Sequence, residues 1–226
     1  MVQDLHRLVT HSYPQEKPFI MVGSELGALN ALAYSRHYPD QVAQLVLIDP
    51  IGEPLFEDGV DSYGKFLVGQ QIPFFQALIL TAAFGINRFA ILTGLFTPSL
   101  LKRDLDLPED VGLRQKYFLA NPQHLIAVYE EYANLNKSWS QVKPLLKSAA
   151  AGKNPPSRIG TTVITGNYYD ELLPSPLNRA WSRSAQNLIS SIPGCKHTVI
   201  NGVDHTMIYR HPHELVGPIK RIVNQW

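Results

Sequence analysis

Two apolar runs, PFIMVG at 18–23 and QLVLID at 44–49, bracket an Ala- and Leu-rich stretch at 26–38. Each run suits a short strand buried on both faces, as in a parallel sheet, and the stretch between them has helical spacing. Strand, helix and strand within about thirty residues make a βαβ unit with a right-handed crossover. A helix is predicted before it over 2–12, with Val2, Leu5, Leu8 and Val9 on one side and Pro14 and Pro18 closing it.

The same alternation returns towards the C-terminus. TTVITG at 161–166 and HTVING at 197–202 read as strands, with an amphipathic helix over 176–192 between them and a last helix over 207–225. The intervening residues show no strand alternation. Their aromatic and aliphatic positions recur at helical spacing around 62–70, 74–96, 111–119 and 122–135. The division is therefore a core over 1–50, a helical lid insertion over 51–157 with Gly152–Pro156 as its exit linker, and a second core part over 158–226. The stretch PFFQALILTAAFGI at 73–86 is short for a membrane span and is read as a buried helix of the lid; lid contact with lipid is the less favoured alternative.

Composition removes several function classes. The chain has 226 residues, 45% hydrophobic and 17% charged, with net charge +1 and no basic stripe, so its overall charge gives no electrostatic case for a nucleic-acid partner or an anionic membrane surface. A single cysteine, Cys195, precludes an intramolecular disulfide. The start, MVQDLHRLV, lacks the pattern of a signal peptide, and the default compartment is cytoplasmic. No Gly-rich phosphate loop and no metal-ligand spacing is present, so no cofactor and no metal is expected; His211 and His213 are read as surface residues.

Three segments carry chemistry. GSELG at 23–27 has the outline of Gly-x-Ser-x-Gly, in which a nucleophile sits on a strained strand-to-helix turn flanked by small residues. Gly23, Gly27 and Ala28 fit that need, but the central residue is Glu25, and Ser24 lies one place early. TGNYYDELLP places Asp170 four residues beyond the end of a strand, and DHTMIYRHPHEL places His205 between the last strand and the last helix. An acid in that position can orient a histidine.

PFIMVGSELGALNALAYSRHYPDQVAQLVLIDP, ITGNYYDELLP and VDHTMIYRHP together resemble the nucleophile, acid and histidine segments of the α/β-hydrolase superfamily. The resemblance implies an α/β fold with a mostly parallel sheet of that type, here only its C-terminal strands, side by side with the nucleophile strand outermost. The family's earlier strands have no counterpart, which implies a truncated chain and an exposed edge open to self-association. By position the nucleophile is Glu25, the acid Asp170 and the histidine His205, with Leu26 N–H as an oxyanion donor. Ser24 is the alternative nucleophile and Asp49 the alternative acid.

The family's esterases use serine. A carboxylate in its place suits displacement at a saturated carbon, as in the family's epoxide and haloalkane hydrolases, which use Asp. Glu25 is one methylene longer, a reach of about 1 Å that can cost on the order of a hundredfold. The expectation is thus a hydrolase of a small apolar substrate, epoxide, halide or ester in type. Its alternatives are an inactive pseudo-hydrolase binding a ligand or protein, and a truncated isoform with no activity of its own.

Overall fold

A computed structural model describes residues 2–12, 18–56, 63–95, 109–150, 159–171 and 173–225. Pro14 and the Gly152–Pro156 linker lie outside the described residues.

The chain divides into an α/β unit, 1–59 with 137–226, and a helical unit, 60–136. The α/β unit begins with helix α1 (Val2–Ser12), strand β1 (Phe19–Ser24), helix α2 (Leu26–His37) and strand β2 (Val42–Ile48). The helical unit contains α3 (Tyr63–Phe66), a π turn over Leu67–Gln71, α4 (Ile72–Ala83), α5 (Ile86–Leu92), α6 (Glu109–Ala120) and α7 (Pro122–Ala133). Helix α8 (Leu135–Ala150) follows, then β3 (Gly160–Gly166), α9 (Ser175–Ser191), β4 (Lys196–Ile200), the short α10 (Met207–Arg210) and α11 (Pro212–Asn224).

The four strands form one parallel sheet in the order β1-β2-β3-β4. Each connection is long enough to hold a helix, which is what parallel pairing demands. β2 is buried on both faces, as its continuous apolar sequence requires. Val46 and Ile48 join Ile164, Ile200, Leu215 and Ile222 in one cluster, so one face of the sheet packs under α11. Leu45 and Leu47 point the other way and are equally buried. β1 departs from the sequence expectation. It is outermost in the sheet, as the resemblance implied, but it is not buried on both faces: only Gly23 within it is fully buried, and Val22 is 46% exposed. An apolar run marks a strand but does not say whether both its neighbours exist.

The last helix is also divided, because Pro212 starts a new turn after His211 and α10 ends at Arg210. In the helical unit, Phe75, Leu78 and Ala82 of α4 pack with Leu125 of α7, and Phe75 stacks on Tyr132 at 5.3 Å. Asn87 is buried and donates to the carbonyls of Leu78 and Leu119, tying α5 to its neighbours. Gly85, with φ 76°, stops α4 in the left-handed conformation that only glycine adopts cheaply. The stretch 73–86 is not the buried helix its composition suggests: Leu80, Phe84 and Ile86 are exposed.

The end of β1 and the start of α2 touch backbone to backbone. A Cβ on Gly23 would lie 2.3 Å from the Gly27 carbonyl oxygen, while a Cβ on Gly27 would meet nothing. The steric demand thus falls on Gly23 alone. Gly23→Ala is expected to lower stability by about 1–3 kcal/mol. Gly27→Ala, inside a helix with open space, is expected to be neutral or stabilising by up to about 1 kcal/mol. Thermal melts of the two variants beside the parent chain measure the difference.

Candidate active site

The carboxyl ends of parallel strands are where open α/β sheets place their sites, because the connections there diverge and leave a crevice. Two non-glycine residues among those described have positive φ, and both lie at these ends: Glu25 after β1 (φ 50°) and Asp49 after β2 (φ 41°). Glu25 pairs that φ with ψ −114°, outside the left-handed well, a conformation costing on the order of 1–3 kcal/mol unless its surroundings enforce it. They do enforce it. Glu25 N–H donates to the Ile48 carbonyl at 3.0 Å, the Ala28 N–H donates back to the Glu25 carbonyl at 3.2 Å, and Gly23 allows the close approach beneath. Leu26 is the first residue of α2, so its N–H has no intrahelical acceptor. Ser24 belongs to β1; its Oγ is buried and has no hydrogen-bond partner among the described residues.

Asp170 and His205 come from loops 35 positions apart in sequence and meet at 3.5 Å, Oδ2 to Nε2. Asp170 is 1% exposed. Its loop is fixed by Asn178 of α9, whose side-chain carbonyl accepts from Asp170 N–H while its amide donates to the carbonyls of Asp170 and Leu173. A second set of bonds joins this loop to the one carrying His205. Tyr168 N–H donates to the Val203 carbonyl, the Asn167 amide to Asn201 Oδ1, and Gly202 N–H to Asn167 Oδ1. Gly166 makes the junction fit, since a Cβ there would lie 2.1 Å from the Val203 oxygen. Trp181 stacks on the His205 ring with centroids 4.4 Å apart, fixing its plane from the side of α9.

Asn178, Trp181 and the Asp204–Thr206–Arg210 group escaped the sequence analysis. Asp204 Oδ1 accepts from the Thr206 N–H and hydroxyl, and Oδ2 accepts from Arg210 at 3.1 Å. Burial alone would raise the Asp204 carboxyl, but the two Thr206 bonds with Arg210 and His205 outweigh it and hold the carboxyl below its ordinary range. The Asp-x-Thr spacing was a legible signal, since an Asp that bonds the backbone two residues on forms an Asx turn. Nothing in the sequence pointed to Asn178 or Trp181, because their roles need α9 laid against a loop.

Asp49 is in the opposite state. It is 3% exposed, its Oδ2 has no hydrogen-bond partner among the described residues, and its carboxyl is pushed well above the ordinary carboxylate range. Burial is the main cause; the Gly166 backbone N–H opposes it, and the charges of Glu25 and Asp204 add to it. Asp49 and His205 line a cavity of about 340 Å³ with Tyr168, Trp181, Thr165 and His197. Glu25 also bears on Tyr209, whose phenol is pushed up first by burial and then by that carboxylate. Among the described residues no three His, Cys, Asp or Glu side chains are grouped to hold a metal ion.

The folded Asp49 keeps its proton to higher pH than the unfolded chain does, so its contribution to stability is lost as pH rises above the ordinary value of 3.8. Asparagine accepts the same Gly166 bond, tolerates positive φ and carries no charge. Asp49→Asn is therefore expected to melt at a higher temperature than the parent chain at about pH 8, with the gap closing near about pH 4. Melting curves across that range check both the sign and the window.

No protein-family model matches this sequence, and no curated protein matches it. Solved structures do. MenH from S. aureus superimposes with a TM-score of 0.58 at 15% identity, over 99% of this chain and 74% of that one. MGS-M2, an α/β hydrolase from a Medee basin deep-sea metagenome, gives 0.58 at 16% identity, over 100% and 71%. Est816, an N-acyl homoserine lactone degrading enzyme, gives 0.57 at 16% identity, over 97% and 72%. The chain thus spans about three quarters of the length of these structures, and nearly all of it is shared. The chain has the fold of the α/β hydrolases.

Proposed function

We propose that the chain is a hydrolase of small apolar substrates, epoxide, halide or ester in type, in which Glu25 attacks, His205 activates water and Asp170 orients His205. The observation that carries this is the combination at one sheet end: Glu25 held in a strained turn, and a buried Asp170 paired with His205. A strained residue survives where its surroundings over-determine it, and such strain clusters at reactive sites.

A carboxylate favours a saturated carbon, so an epoxide is the substrate for which the step is simplest. A Glu25 oxygen bonds to a ring carbon and the bond from that carbon to the ring oxygen breaks. The released alkoxide takes a proton from an O–H beside Glu25, for which Tyr209 stays protonated at neutral pH. His205 then removes a proton from water, whose oxygen attacks the carbonyl carbon of the new ester. The Leu26 N–H stabilises the resulting oxyanion. Collapse breaks the ester C–O bond, the departing alkoxide takes the proton left on the added oxygen, and the diol leaves with the Glu25 carboxylate restored. The proton held by His205 returns through solvent to Tyr209, so that one water is consumed in all.

A non-catalytic ligand binder is the second reading. It is favoured by the crowding of Glu25, Asp49 and Asp204 at one sheet end, and by the stability of a carboxylate at a helix N-terminus without any reaction. A terminal epoxide and intact-mass spectrometry separate the two. Under the catalytic reading His205→Gln accumulates an adduct of one whole epoxide, while Glu25→Gln forms none and loses turnover by at least about a hundredfold. Folded protein that binds the epoxide equally well with and without Glu25→Gln, and forms neither adduct nor diol, would establish the binder.

A further inference from the structure

The outer face of the α4–α5 hairpin has no match in the chemistry of the site. Helix α4, IPFFQALILTAA, is apolar around nearly its whole circumference, and Phe75, Leu78 and Ala82 already satisfy its inward stripe against α7. A helix apolar on all sides belongs in a protein core or against lipid. Here the far side is exposed among the described residues. Pro73, Ala77, Leu80 and Phe84 follow one another at helical spacing on it, with Leu80 60% and Phe84 75% exposed. In α5, Phe89 is 64% and Leu92 83% exposed, opposite the buried Asn87. Large apolar side chains left exposed along two consecutive helices mark a binding face.

Two observations say what binds. The first is charge. Residues 63–95 contain no Asp and no Glu, and their only charged side chains are Lys65 and Arg88, both exposed. The chain's net charge of +1 conceals this, because its acidic residues lie elsewhere. Arg88 falls on the outer side of α5, flanking Phe89 and Leu92. The second is how the polar groups are spent. Thr81 donates its hydroxyl to the Ala77 carbonyl, Thr93 donates to the Phe89 carbonyl, and the Asn87 amide is used on Leu78 and Leu119. These three side-chain donors are closed within the helical unit, which leaves Gln76 and Arg88 as the exposed polar side chains of α4 and α5. A protein partner needs polar contacts around the rim of such a face, whereas the acyl region of a bilayer tolerates none.

We infer that the α4–α5 face is a docking surface for an anionic phospholipid bilayer, lying in the interface plane with Leu80, Phe84, Phe89 and Leu92 inserted and Arg88 among the headgroups. The helical run 63–83 is long and apolar enough to cross a membrane, but its inward stripe is committed to α7, so it lies along the surface. This stands apart from the reaction assigned to Glu25.

The test is co-sedimentation of the full 226-residue chain with sucrose-loaded vesicles of phosphatidylcholine alone and of phosphatidylcholine with phosphatidylserine. The chain is expected to bind the serine-containing vesicles more tightly, with the preference falling as salt rises. Phe84→Gln with Leu92→Gln is expected to weaken binding at least about tenfold. Arg88→Glu is expected to remove the preference for phosphatidylserine while leaving the far-UV circular dichroism unchanged. Phe84→Trp adds a reporter whose emission should shift to the blue on vesicles. Folded protein that sediments with neither vesicle overturns the inference, as does binding indifferent to both Arg88→Glu and the double substitution. A larger species in size exclusion without lipid, returned to monomer by the double substitution and silent towards vesicles, assigns the face to a second copy of the chain and equally overturns it.

Discussion

The contact on which the site depends is between two pieces of backbone. β1 meets α2 so closely that Gly23 has no room for a side chain beside the Gly27 carbonyl. A strand that must turn into a helix over so short a span leaves one residue to absorb the mismatch, and that residue is Glu25, with φ 50° and ψ −114°. The hydrogen bond from Glu25 N–H to Ile48 locks the turn to the neighbouring strand. The placement of the Glu25 side chain follows from this arrangement, because an unstrained turn would direct it elsewhere.

The architecture was legible in the sequence because burial on both faces writes a continuous apolar run, and QLVLID is one. The Asp170–His205 pair was legible too, since each residue occupies a loop of known position relative to its strand. What was illegible depends on long-range packing. Asn178 looks like any polar residue of an amphipathic helix until α9 sets it over the Asp170 loop. PFIMVG reads as a buried strand, yet β1 is half-exposed, since apolarity records what a strand can pair with rather than what it does pair with. The same holds for PFFQALILTAAFGI, whose composition suits a core while its outer face is open.

Charge at the sheet end is divided rather than pooled. Asp204 is held ionised by Thr206 and Arg210, while Asp49 is driven towards its neutral form first by burial and then by the charges of Glu25 and Asp204. Three carboxyls in one neighbourhood would repel if all were charged. Different local partners keep Asp49 and Asp204 in different protonation states, so a neutral and a charged carboxyl stand side by side at one sheet end.

The bonds that join the Asn167–Tyr168 loop to the Asn201–Val203 loop have a mechanical consequence. Acid and histidine ride on one stiff platform, whereas Glu25 is anchored separately through β1 and β2. A load on either of the two loops is thus shared with the other, while the Glu25 turn takes its load through β2, whose end is itself bonded to β3 by the Asp49 N–H on the Ile164 carbonyl.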